Sequence, residues 1–244
     1  MSITTILFDL DGTLLPMDQD EFVRAYFKLL AKKLAGHGYD PQALLGNIWA
    51  GVEAMVKNTG EYNNEEAFWR TFDKIYGEGV RKDIPLFEEY YRNEFQQVQS
   101  VCGFNSESAD IIRHVKEKGL RLVLATNPLF PAVATESRIR WAGLQKEDFE
   151  LVTTYENSKH CKPNPDYYRD IIEEIGVRPE ECLMVGNDVN EDMIAESLGM
   201  KVFLLTDCLI NKEEKDITVY PNGDFGKLIQ FIGNAFTSSE RYFF

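Results

Sequence analysis

The sequence predicts an open, doubly wound parallel α/β sheet interrupted by an all-helical insertion. Three observations predict it. Short, near-continuous apolar runs read as buried strands, helical patterns alternate with those runs, and a long stretch after the first run (18–97) holds helical patterns but no strand. The runs lie at 3–10, 120–125, 182–185 and 202–205. Each is β-rich and too short for a helix, as expected of parallel strands covered on both faces. After the first run come helical patterns at 21–35, stopped by Gly36, at 41–57, opened by Asp40, and at 65–76 and 86–98. Phe22, Tyr26, Leu29, Leu30 and Leu34 recur at helical spacing, and Trp49, Phe68, Trp69, Phe72, Tyr90 and Tyr91 read mostly as bundle core. Segment 106–118 has Glu107 and Asp110 early, Ala109, Ile112 and Val115 on one side, and Gly119 just past its end. Asn164-Pro165 caps and starts another helix, which runs through Tyr168, Ile171, Ile172 and Ile175 to a stop at Gly176. The division expected is an α/β core of 1–17 and 99–244, with a helical domain at 18–98 joined through linkers near Pro16 and Val101. The tail 237–244 is expected to be loosely held.

Composition narrows the function classes. With 44% hydrophobic and 27% charged residues, the 244-residue chain has the apolar content for a real core and is not a disordered or disulfide-built protein. Lys+Arg is 26 against 40 Asp+Glu, so the net charge of −14 argues against a nucleic-acid backbone as partner. Cys102, Cys161, Cys182 and Cys208 form no C-x-x-C pair, which suits free thiols in a reducing compartment. His37, His114 and His160 lack zinc-ligand spacing. No run approaches the ~20 apolar residues of a membrane span, and the N-terminus lacks the basic and apolar regions of a signal peptide. A soluble, cytoplasmic protein with no membrane partner is expected.

The chemistry sits at strand ends. Phe8-Asp9-Leu10-Asp11-Gly12-Thr13-Leu14 runs a strand into two aspartates and a glycine turn. Carboxylates so close repel unless a cation or a proton joins them. Alone, D-x-D-G also fits a calcium loop or a hydrated turn. A second run ends in Thr126-Asn127-Pro128, Lys162 precedes a helix start where free N–H groups favour an anion, and Gly186-Asn187-Asp188-Val189-Asn190-Glu191-Asp192 adds acid at a third strand end. Singly, each has an ordinary explanation: Thr126 a loop residue, Lys162 a solvated charge, Asp188 and Asp192 acids favoured at a helix N-terminus. Together they fall where an open sheet gathers its strand ends, the place such sheets bind ligands.

This assembly resembles the haloacid-dehalogenase-like hydrolase superfamily, over essentially the whole chain, with four motifs in order and a helical cap between the first two. The resemblance implies a Rossmann-like core and a phosphatase that uses Mg²⁺ and a covalent aspartyl-phosphate on a small phosphorylated metabolite. It implies Asp9 as nucleophile, Asp11 as general acid/base, Thr126 and Asn127 on the phosphoryl group, and Lys162 bridging Asp9 and the phosphate. Metal ligands are expected from Asp9, Asp11 and the acids after Gly186. Here the motif reads Gly186-Asn187-Asp188 where relatives more often begin Gly-Asp. Carboxylate is the better magnesium ligand, so Asp188 is preferred over Asn187, with Asp192 orienting Lys162 or a metal-bound water. Asp188 as a mere helix cap is the competing reading. Relatives with this cap type often carry an acid where this chain has Leu15-Pro16-Met17. A phosphomutase uses the same two aspartates and stands as the alternative, a non-catalytic binding relative as the other class. Dehalogenases differ at the position of Asp11, and receiver modules lack the insertion and the D-x-D-G-T turn.

Overall fold

In the computed structural model, which describes residues 2–240, six strands form one sheet. They are β1 (Thr5–Phe8), β2 (Arg121–Leu124), β3 (Leu151–Val152), β4 (Cys182–Gly186), β5 (Lys201–Leu205) and β6 (Asn222–Gly223), in spatial order β3-β2-β1-β4-β5-β6. All neighbouring pairs are parallel. Side chains alternate across the sheet with period two. Ile6, Phe8, Leu122, Leu124, Leu183 and Val185 join one apolar cluster, while Leu7, Val123, Ala125 and Met184 join another on the opposite face. Both faces are apolar, which is why the runs show no polar alternation. The chain steps outward from β1 to β3, then returns to β4 on the other side of β1. Strand order therefore reverses beside β1, the switch point at which doubly wound sheets open a crevice.

The insertion after β1 contains α1 (Gln19–Ala35), α2 (Pro41–Val56), α3 (Asn64–Tyr76) and α4 (Ile84–Arg92). Side chains of Asp18, Asp40 and Asn63 accept from the first free N–H groups of α1, α2 and α3. The pattern at 86–98 is not one helix. Asn93 leaves helical backbone (φ −115°, ψ −82°), so α4 stops at Arg92 and a 3₁₀ segment, Glu94–Val101, follows. The insertion's apolar side chains are continuous with one face of the sheet. Phe22, Tyr26 and Phe95 pack on Phe130 at ring-centroid distances of 6.1, 5.4 and 6.5 Å. The two linkers run side by side, with Met17 bridged to Cys102 and Gly103 N–H donating to the Pro16 carbonyl at 2.7 Å.

In the core, α5 (Glu107–Glu117), α6 (Ala132–Trp141) and α8 (Phe225–Glu240) cover the insertion's face, and α7 (Pro165–Ile175) with the 3₁₀ turn Met193–Leu198 covers the other. Sequence reading does not foresee α6, α8, β3 or β6. The two missed strands are each two residues long, too short to show a pattern. Where Asp188 or Asp192 would open a helix, the structure has only the 3₁₀ turn. Of the tail, 237–240 lie in α8 and 241–244 lie outside the described residues. Among the described residues, no helix is long and apolar enough to cross a membrane.

Candidate active site

Asp9 follows β1 directly, its N–H donating to the Val185 carbonyl of β4 at 2.9 Å. The chain then turns: Gly12 N–H donates to Leu15 O, and Leu15 N–H to Leu10 O, both at 2.8 Å. The turn requires glycine on two counts. Gly12 has φ +84°, and a Cβ there would lie 2.3 Å from Asn187 Nδ2. The loops after β1 and β4 are thus pressed together, and Thr13 joins them. Its hydroxyl lies 2.8 Å from Asn187 Oδ1 and 3.2 Å from Asp9 Oδ2.

Lys162, just before α7, has its ammonium 2.8 Å from Asp9 Oδ1 and 2.7 Å from Asp192 Oδ1, with 1% of the residue exposed. Burial works against the charge, but Asp192 and Asp9 outweigh it and hold the Lys162 pKa well above its ordinary value. Asp192 Oδ2 accepts the Asp188 N–H at 2.9 Å. Burial pushes the Asp192 carboxyl up to about 6, with Lys162 opposing. Gly186 makes room for this acid: a Cβ there would lie 2.0 Å from Asp192 Oδ2. Asp9, Lys162 and Asp192 are therefore brought together as a buried triad.

The β2 end contributes Thr126 and Asn127. Thr126 is buried, and its carbonyl accepts from Thr153 Oγ1 at 2.7 Å and from the Tyr167 hydroxyl at 2.8 Å. Asn127 Nδ2 donates to Glu191 Oε2 at 3.0 Å, while its Oδ1 is buried without a hydrogen-bond partner. Asp11 is similarly divided. Oδ2 pairs with the Arg138 guanidinium, and Oδ1 is buried without a partner. Burial pushes the Asp11 carboxyl up to about 6, although Arg138 pulls it down.

Sequence reading prefers Asp188 over Asn187 beside Asp9, yet Asn187 is the residue linked to Asp9 through Thr13. Asp188 Oδ1 instead accepts from the N–H groups of Asn190 and Glu191 at 2.7 and 2.9 Å. It caps the turn after β4, because Asx side chains readily satisfy the N–H groups two and three residues on. Among the described residues no three His, Cys, Asp or Glu side chains gather closely enough to form an all-protein metal cage. What the site offers is hard oxygen: the Asp9 carboxylate, the Asp11 backbone carbonyl and Asn187 Oδ1. Magnesium takes few protein ligands and keeps waters, so this set suits it.

Sequence reading also misses Arg138 and Glu191. Arg138 is fully buried on α6, its guanidinium 4.5 Å from the centroid of the Phe130 ring. Arg140 lies two residues away with nothing in the local pattern to distinguish them. Glu191, whose carboxyl burial pushes up to about 8, is hidden in a run of acids.

The chain matches a family model described as haloacid dehalogenase-like hydrolase over residues 3–196. It is 24% identical to the pyrophosphatase PpaX of Bacillus cereus (strain G9842) over 201 residues, covering 82% of each chain. Among solved structures, the HAD phosphatase from Thermococcus onnurineus is similar at TM-score 0.58 and 18% identity, covering 95% of this chain and 98% of that one. CbbY from Rhodobacter sphaeroides, solved in complex with phosphate, is similar at TM-score 0.55 and 20% identity, with 91% and 93% covered.

Proposed function

Since the chain belongs to the haloacid dehalogenase-like hydrolase family, and is a hydrolase of the phosphatase kind, we propose that it cleaves small phosphomonoesters through a covalent aspartyl-phosphate on Asp9. The observation that carries this reading is the buried Asp9–Lys162–Asp192 triad beside an Asp11 oxygen without a partner. An Asp9 oxygen attacks phosphorus and the ester P–O bond breaks. Asp11, protonated on Oδ1, gives its proton to the departing alkoxide, which leaves as the alcohol. Asp11 then takes a proton from water, whose oxygen attacks the same phosphorus. Inorganic phosphate leaves, and both carboxyl groups return to their starting states.

Lys162 masks the charge of Asp9 as the phosphate approaches, and Asp192 holds that ammonium in place. Thr126 and Asn127 are assigned to the phosphate oxygens. Mg²⁺ is the proposed cofactor, held by Asp9, the Asp11 backbone carbonyl and Asn187. When bound, it supplies positive charge to the phosphate and to Asp9. Residues 18–98 are proposed to act as a cap on the core of 1–17 and 99–244, excluding water from the phosphoryl group. A cytoplasmic location fits the four unpaired cysteines.

Phosphate release from p-nitrophenyl phosphate tests the reading. It should need Mg²⁺, stop with EDTA and vanish in Asp9→Asn. Asn187→Ala should raise the half-saturating Mg²⁺ concentration by roughly tenfold, and Asp188→Asn should hardly change it. Undiminished turnover in Asp9→Asn would sink the mechanism.

A further inference from the structure

A cavity of ≈ 220 Å³ lies between the insertion and the sheet, with Asp11, Asn127 and Glu191 at its polar end. Apart from Gln19, its other walls are apolar and aromatic, among them Trp49, Phe68, Trp69 and Tyr91 from the insertion and Phe130 and Tyr155 from the core. Among the described residues, no Lys, Arg or His lines it. The two buried cations nearby are already committed. Lys162 is bonded to Asp9 and Asp192, and Arg138 pairs with Asp11 from behind Phe130.

The cavity reaches Asp11, the group proposed to protonate the departing oxygen, and so offers room for what leaves the phosphoryl group. A second phosphate or a carboxylate there would lose its hydration without gaining a counter-charge, at a cost of several kcal/mol per ion. A flat or branched hydrocarbon group would instead bury against the rings. The space suffices, since an apolar cavity of about 150 Å³ holds benzene. Resting on Asp9 as the nucleophile, we propose that the natural substrates are phosphomonoesters of uncharged, apolar alcohols, of one or two rings or similar bulk. Phosphoesters whose leaving group carries a second anion are excluded by the same walls.

A matched pair of esters isolates the charge. 4-Methylbenzyl phosphate and 4-carboxybenzyl phosphate have nearly the same shape and similar benzylic leaving groups. The methyl ester should have the higher kcat/KM by on the order of 100-fold. Trp49, on α2, lies at the cavity wall and is 48% exposed, so a lysine there can keep its ammonium hydrated. Trp49→Lys should narrow the preference at least about tenfold, chiefly by improving the carboxylate ester. Binding of the two product alcohols to Asp9→Asn protein, followed by tryptophan fluorescence, gives a readout independent of turnover and should favour 4-methylbenzyl alcohol. Equal rates and equal binding, or a preference for the carboxylate, would overturn the assignment. Loss of phosphate release from every ester, and from the acyl phosphate acetyl phosphate as well, would instead indict the nucleophile. Preferential binding of the methyl alcohol would then still identify the cavity as an apolar binding site.

Discussion

At the scale of single residues, the site is a set of buried charges that stabilise one another only as a group. Arg138 is the clearest case. Its guanidinium is fully buried, and its carboxylate partner, Asp11, lies 127 residues away in sequence. Removing one member of such a pair leaves the other desolvated and unpaired. Arg138→Met should therefore cost about 3 kcal/mol, the lower end for a buried pair because Asp11 retains some exposure. Urea denaturation measures that. The substitution should also move a titration. Burial already raises the Asp11 carboxyl to about 6, and Arg138 opposes the rise. Without the cation, deprotonation requires a higher pH, so the limb of the kcat/KM profile that follows Asp11 should shift upward. An unchanged profile with lowered stability would reduce Arg138 to a structural role.

At the scale of elements, strand ends supply the chemistry and the first turn of α3 holds the insertion to it. Asn64, at the start of α3, is completely buried. Its Nδ2 reaches the carbonyls of Pro128 and His160, each at 3.4 Å, and its Oδ1 accepts from Asn58 at 2.9 Å. The N–H groups of Asn64 and Glu65 donate to Ser158 and Tyr155 carbonyls, both at 2.8 Å. One helical start is thus tied to the loops that follow β2 and β3. Asn64→Ala should orphan these core carbonyls at a cost of about 1–3 kcal/mol. Hydrogen exchange should quicken at the N–H groups of 64 and 65 while those of β1 and β4 keep their protection. Equal loss of protection in both places would mean that the insertion and the sheet open as one unit.

At the scale of the whole molecule, the −14 net charge sets the field through which an anionic substrate arrives. Lys162 and the proposed magnesium reverse it only locally. Raising the ionic strength from 0.01 to 0.15 M shortens the Debye length from about 30 to about 8 Å. The kcat/KM of a small phosphate dianion should therefore rise with added KCl, the opposite of attractive steering. A fall across that range would mean that the local positive field dominates the encounter.

The fold and the triad members were legible in the sequence because each rests on local signals. Buried parallel strands must be continuously apolar, helix caps carry their own chemistry, and Asp9, Asp11, Thr126 and Lys162 follow short apolar runs or precede a capped helix. The remaining features were decided by the tertiary structure. Asn187 rather than Asp188 is tied to Asp9, through Thr13, because Gly12 lets two loops approach, and the cap role of Asp188 depends on how the turn after β4 closes. Likewise, Arg138 meets Asp11 only when α6 packs beside the loop after β1, and Phe22 and Tyr26 of α1 meet Phe130 only when the insertion packs on the sheet. Period and spacing record which face a residue occupies within its own element. Contacts between elements depend on distances that the chain closes only on folding, and a single sequence carries no local signal for them.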